Sequence, residues 1–237
     1  MNHKPGKGKM LAVVQARMSS KRLPGKALHP IQGKPMLLYL IERVRRCPSL
    51  DDLIVATSTE ESDDVLAAFC AQWEIPCYRG SLADVSSRFK EILDERAPYG
   101  CLRVNGDSPL LDGTLIERAI GIFLGGEWDL VTNVQVRSYP KGQSVEVIRT
   151  ETYQKAYAKM ATEEEREHVT RYFYIHPQPY KIHNIHSGRN YGMIQLSVDT
   201  PEDMTLIEGI LARMTRPHWE YGLEDVLRLR EEVLAGC

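Results

Sequence analysis

MLAVVQARMSSKRLPGK, residues 10–26, begins with five consecutive apolar side chains and continues into a polar stretch carrying Arg17, Lys21, Arg22 and Lys26. An unbroken apolar run of this length suits a strand covered on both faces, as in a parallel sheet flanked by helices. The polar stretch then lies at the strand's C-terminal end, where open α/β sheets bind their ligands. It holds two serines, a Pro-Gly turn and four cations. Backbone N–H groups with Arg and Lys side chains are the usual holders of phosphate oxygens; the plainer alternative is a solvated basic loop. The stretch has neither the G-x-x-x-x-G-K-[ST] spacing of a P-loop nor the G-x-G-x-x-G of a dinucleotide fold, which argues against both.

Composition confines any anion site to such a local feature. The chain has 237 residues, 43% of them hydrophobic, enough for a sizeable α/β core. Its 30 Lys and Arg against 32 Asp and Glu leave a formal charge of −2, so no global cationic field favours nucleic acid or an anionic membrane. No apolar run approaches the roughly 20 residues of a membrane span. The basic start MNHKPGKGK is followed by an apolar run too short for a secretory signal, and residues 1–9 read as a flexible tail before a single domain over 10–237. Cysteines at 47, 70, 77, 101 and 237 show no two-residue spacing of a zinc or redox site, as expected of a reduced, cytoplasmic protein.

Working outward from residue 10, apolar runs alternate with helical periodicity. Residues 34–47 place Leu37, Leu40, Ile41 and Val44 on one helical stripe. LIVATS (53–58) precedes a helix whose expected buried face is Val65, Leu66, Phe69 and Trp73, with acidic residues 61–64 at its start. IPCYRG (75–80), CLRVNG (101–106) and DLVTNV (129–134) continue the series. Five strands with four intervening helices predict a doubly wound, mostly parallel sheet. Beyond residue 135 the rhythm breaks: a strand is expected within 138–148, helix over 150–175, two strands at 180–186 and 193–199, then helix from Pro201. Residues of about 135–190 are expected to form a small inserted lobe with a role in acceptor binding or dimerisation.

Three more polar clusters stand at expected strand ends. RVNGDSPLLD puts Asn105, Gly106 and Asp107 after an apolar strand, and LSVDTPED repeats the form with Asp199. A strand-end carboxylate suits a hard cation such as Mg²⁺, although Asp is also an ordinary turn or cap residue. Two such aspartates beside a basic loop favour metal plus phosphate. The last cluster offers Lys141, Gln143, Glu146, His168 and Arg171, with Tyr139, Tyr172 and Tyr174. These suit a polar pocket, and exposed helix charge with core aromatics explains them equally well. Neither Ser144 nor Cys77 sits in the context of a nucleophile. If 181–186 is a strand, His183 and His186 face opposite ways, which disfavours zinc.

QARMSSKRLPGK, VATSTEESDD, CYRG, RVNGDSPLLD, REHVTRYFY and LSVDTPEDM, spread over residues 9–210, resemble in order and spacing the SpsF-like polysaccharide-biosynthesis cytidylyltransferases, relatives of the enzymes that make CMP-sialic acid and CMP-KDO. The resemblance implies a GT-A-like, Rossmann-like nucleotide-diphospho-sugar transferase fold, CTP as substrate, Mg²⁺ as cofactor and a cytoplasmic homodimer. On the matching positions, Gln15, Ala16, Arg17, Arg22 and Lys26 would hold the nucleotide, with Arg79 and Asn105 near it. Asp107 and Asp199 would bind metal and, with Arg17 and Lys26, carry catalysis. Lys141, Gln143, Glu146 and His168 would face a small anionic acceptor. One departure stands out: where such relatives have a D-x-E pair, this chain keeps Glu146 but has Ser144, which puts the usual acceptor in question.

The reaction implied is attack of an acceptor oxygen on the α-phosphorus of CTP with departure of pyrophosphate, driven by positioning and charge neutralisation. A GT-A glycosyltransferase using a nucleotide-sugar donor is the first rival, and the crowding of cations at the first loop counts against it. A non-catalytic nucleotide-binding protein is the second; it would have no need of the two aspartates.

Overall fold

The computed structural model describes residues 8–236. In chain order the elements are β1 (Met10–Gln15), a small β2–β3 hairpin (Pro30–Ile31 and Lys34–Pro35), α1 (Met36–Val44), β4 (Asp52–Ser58), α2 (Asp64–Gln72), β5 (Cys77–Gly80), α3 (Val85–Arg96), β6 (Gly100–Asn105), α4 (Gly113–Gly125) and β7 (Leu130–Thr132). There follow β8 (Glu146–Arg149), α5 (Thr150–Tyr157), α6 (Glu163–Glu167), α7 (Arg171–Ile175), β9 (Ile182–Asn184), α8 (Pro201–Ala212) and α9 (Leu223–Ala235). The expected N-terminal tail falls almost wholly outside the described residues.

Among the described residues the central sheet has seven strands in the order β5-β4-β1-β6-β8-β7-β9. It is mixed but mostly parallel: β8 alone runs against its two neighbours, β6 and β7. Alternation along the strands divides the core in two. Ala12, Val14, Val55, Leu102 and Val104 pack on one face beneath α1, α2, α4, α8 and α9. Leu11, Val13, Ile54, Ala56 and Cys101 pack on the other beneath α3, α5 and α7. These three layers, with a chain that leaves β1 first for β4 and later returns to its other side as β6, make an α/β fold with a crevice at the carboxyl ends of β1 and β6.

β8 pairs antiparallel with both β6 and β7 and so separates them in the sheet. Residues 135–190 thereby enter the central sheet: they supply two of its strands and helices over one of its faces. Two expectations need correction. Residues 193–199 form no strand; they carry a single bridge, Lys141 to Gln195. In α2 the inward face is Leu66, Phe69 and Cys70, while Val65 and Trp73 are exposed.

Candidate active site

Where β1 ends, the chain is fastened before it reaches the cations. Ala16 N–H donates to the Ala56 carbonyl of β4 (3.2 Å), and the Met18 carbonyl accepts from both Ser20 N–H and Gly25 N–H, each at 2.9 Å. Met18 N–H in turn donates to Asp63 Oδ1 at 2.7 Å. Asp63 is fully buried and takes both the N–H and the hydroxyl of Ser58 on its other oxygen. Burial alone would raise its pKa, but these donors hold it below the ordinary carboxylate value. An aspartate that reads in the sequence as helix-start charge is turned inward to brace the basic loop.

On the other side of β1, Gln15 and Asn105 are register partners. Gly106 N–H donates to the Gln15 carbonyl at 2.8 Å, and a Cβ at Gly106 would stand 3.0 Å from that oxygen and 2.8 Å from Ala16 Cβ. Only glycine permits this approach, which sets Asp107 level with the basic loop. Val198 N–H donates to the Asp107 carbonyl (2.8 Å), bringing the segment before α8 alongside. Thr200 and Asp203 form a capping box that starts α8 and fixes Asp199 just ahead of it.

Asp107 and Asp199 thereby converge. Lys26 Nζ lies 3.2 Å from Asp107 Oδ2, 3.2 Å from Asp199 Oδ1 and 2.5 Å from the Val198 carbonyl, and Arg22 reaches Asp199 Oδ1 at 2.9 Å. Burial works against charge on Asp199, yet Lys26 and Arg22 hold its pKa below the usual value. No group of three or more His, Cys, Asp or Glu side chains is gathered for a metal among the described residues. Two carboxylates sharing one cation suit a Mg²⁺-like ion, which takes one or two protein carboxylates and completes its octahedron with phosphate oxygens and water.

A cavity of about 450 Å³ opens over this cluster. Of the residues read from the sequence, Gln15, Ala16, Arg17, Arg22, Lys26, Asn105, Asp107, His168 and Asp199 line it. Four others lie elsewhere. Arg79 donates to the Ser58 and Glu60 carbonyls (2.9 and 3.0 Å) and pairs with Asp64, bracing the turn after β4. Gln143 is fully buried, accepting from Asp112 N–H and donating to the Leu110 carbonyl. Glu146 is buried beneath Arg103 and Tyr174. Lys141 is exposed and contributes its backbone to the bridge with Gln195. The cavity also takes in Val85, Arg88 and Glu167, which sequence patterning did not single out.

A crevice at the carboxyl ends of β1 and β6, with a cation-rich loop after β1 and two carboxylates, Asp107 after β6 and Asp199 before α8, suits the handling of a polyphosphate by a nucleotidyltransferase. The chain belongs to the cytidylyltransferase family, whose model matches residues 11–230, and is accordingly a CTP-dependent nucleotidyltransferase. It is 31% identical over 210 residues to the spore coat polysaccharide biosynthesis protein SpsF of Bacillus subtilis, covering 85% of each chain. Its fold superposes with a TM-score of 0.90 on a cytidylyltransferase from Leptospira borgpetersenii, at 23% identity over 96% of this chain and 95% of that one. A CMP:2-keto-3-deoxy-manno-octonic acid synthetase complexed with CTP superposes with a TM-score of 0.65, at 17% identity over 86% and 99%.

Proposed function

We propose that the protein transfers CMP from CTP to an oxygen of an anionic sugar acid, with release of pyrophosphate and with Mg²⁺ as the ion, in the biosynthesis of a surface polysaccharide. The observation that carries this reading is the convergence of Asp107 and Asp199 on one ammonium, 3.2 Å from each, beside the fastened basic loop. The polysaccharide role named for the Bacillus relative and the CTP held by the octonic acid synthetase support the substrate classes.

Asp107 and Asp199 would hold the metal ion, which when bound neutralises phosphate charge and orients the α-phosphate. Lys26, Arg17 and Arg22 would contact the β- and γ-phosphates. The acceptor hydroxyl oxygen forms its bond to the α-phosphorus and gives up its proton to solvent as the α–β bridging bond breaks, and the electron pair leaves with pyrophosphate, stabilised by these cations. Asn105 and the Gln15–Ala16 backbone lie where the nucleoside would rest. With Gln143 and Glu146 built into the interior, the acceptor side falls to the wall formed by Glu167 and His168. A CTP donor suits a cytoplasmic reaction, and the family resemblance implies a homodimer, to be checked by sedimentation.

The test is a pyrophosphate-release assay with Mg²⁺, each of the four nucleoside triphosphates, and acceptors spanning 3-deoxy-2-keto sugar acids, sugar phosphates and phosphonates. Release with CTP and one acceptor is expected. Turnover of a nucleotide-sugar without pyrophosphate would replace this reading by glycosyl transfer.

A further inference from the structure

Arg88 sits in the second turn of α3, pressed between that helix and the carboxyl ends of β4 and β5, and only 2% of it is exposed. Gly80 makes room for it, since a Cβ there would lie 2.8 Å from Arg88 Cγ. The side chain lines the cavity on the β4–β5 side of β1, across from the Asp107–Asp199 cluster.

Its hydrogen bonding is incomplete. Among the described residues its one hydrogen bond is a long contact from Nη1 to the Ala56 carbonyl, 3.4 Å, and Nε has no partner. The nearby carboxylates act on it only through space. Asp63 is occupied by Met18 and Ser58, and Asp84 by Ser87 N–H, Tyr157 and Arg166. The other charge close by is a cation, Arg17, which also lines the cavity. Burial pushes the Arg88 pKa down to about 10, Arg17 pushes the same way, and Asp63 and Asp84 oppose them.

Arg43 shows what a structural arginine looks like in this protein. It is equally buried, its Nε likewise has no partner and its pKa is likewise lowered to about 10, but its terminal nitrogens donate to the carbonyls of Leu111, Tyr221 and His218, and it lines no part of the cavity. A buried guanidinium without such partners is unfavourable unless a ligand supplies them.

We infer that Arg88 is a binding residue, forming with Arg17 a paired-guanidinium seat for an oxyanion of the ligand. This rests on reading the cavity as the nucleotide site. The oxyanion belongs either to the triphosphate or to the carboxylate of the acceptor; both offer the planar or tripodal oxygens that guanidinium groups bind in bidentate fashion.

Wild type, Arg88→Gln and Arg88→Lys are titrated calorimetrically with inorganic tripolyphosphate, CTP, cytidine and a 3-deoxy-2-keto sugar acid, and each is melted without ligand. Arg88→Gln is expected to weaken tripolyphosphate and CTP by at least about tenfold while cytidine binding stays within about twofold. Arg88→Lys falls between, and the ligand-free melting temperature of Arg88→Gln is unchanged or higher, because the repulsion with Arg17 is relieved. A loss confined to the sugar acid assigns the seat to the acceptor carboxylate instead. The inference is overturned if no anion is weakened in either variant, if cytidine weakens as much as CTP, or if the wild type binds none of the anions. A wild type that binds tripolyphosphate but not CTP sinks the proposed function and leaves the role of Arg88 to the tripolyphosphate arm.

Discussion

Arg103 and Glu146 pair across β6 and β8 with side chains 12% and 3% exposed, whereas Asp107, just past the end of the same β6, meets Lys26 with exposures of 28% and 12%. The first pair is closed: Arg103 also bonds Gln15 and Thr170, and Tyr174 donates to Glu146. Burial, reinforced by that carboxylate, raises the Tyr174 pKa well above the ordinary phenol value, so it stays a donor. The second pair opens on the cavity, where Lys26 divides itself between two carboxylates and a carbonyl. The same chemistry gives rigidity where every partner is fixed and exchange where a ligand can replace one.

Removing one member of the closed pair should break the comparison most sharply. Glu146→Ala leaves Arg103 without its carboxylate and should cost about 3–5 kcal/mol of stability, lowering the melting temperature by roughly 10 °C. A melt within about 2 °C of wild type would erase the distinction. Asp107→Ala acts oppositely, reducing turnover by about 10²–10³, or roughly 3–4 kcal/mol of barrier, with little change in melting. Retention of more than about a tenth of the rate at saturating Mg²⁺, a barrier change under about 1.4 kcal/mol, would remove Asp107 from the metal role.

A third pair sharpens the contrast by pH. His218 is 8% exposed by side chain and lies 2.6 Å from Glu42; burial holds its pKa down to about 4 against the pull of that carboxylate. Between about pH 6.5 and 4 the unfolded chain therefore binds a proton that the folded chain does not, and stability falls with pH by up to roughly 3 kcal/mol. Chemical denaturation at pH 7, 5.5 and 4.5 should show this slope in the wild type and a flatter one in His218→Gln; equal slopes would count against it. The smallest effect expected is that of Asp63→Asn, about 1–2 kcal/mol from weakened bonds to Met18 and Ser58. It should raise the KM for CTP more than it lowers kcat, as read from steady-state kinetics.

Much of the fold was legible because β1 carries an unbroken apolar run, α1 an apolar stripe and β6 a run broken by Arg103, whose burial needs no distant partner to be read. The basic loop and Asp107 were legible because they follow β1 and β6; Asp199 was read from the same pattern, although residues 193–199 form no strand and the capping box of α8 is what fixes it. What failed depended on pairing between remote segments. Nothing local in EVIR tells that residues 146–149 lie antiparallel between two other strands, so Gln143 and Glu146 read as site residues when they are interior ones. Arg88 escaped notice because a charged residue in a helix ordinarily faces water, and only the packing of α3 against Gly80 turns it inward. Asp63 was hidden the same way by the loop it holds.

The late arrival of β8 also sets an order of events during synthesis. A chain emerging from the ribosome can join β1, β4, β5 and β6 once about 105 residues are out, but β6 then presents a bare edge and Arg103 lacks its carboxylate until residues 146–149 appear. β7, made earlier than β8, has no neighbour in the sheet until β8 arrives, and its other partner, β9, is made later still. The nascent protein thus passes through a stage with an open strand and a stranded charge, the state in which chaperone protection matters most.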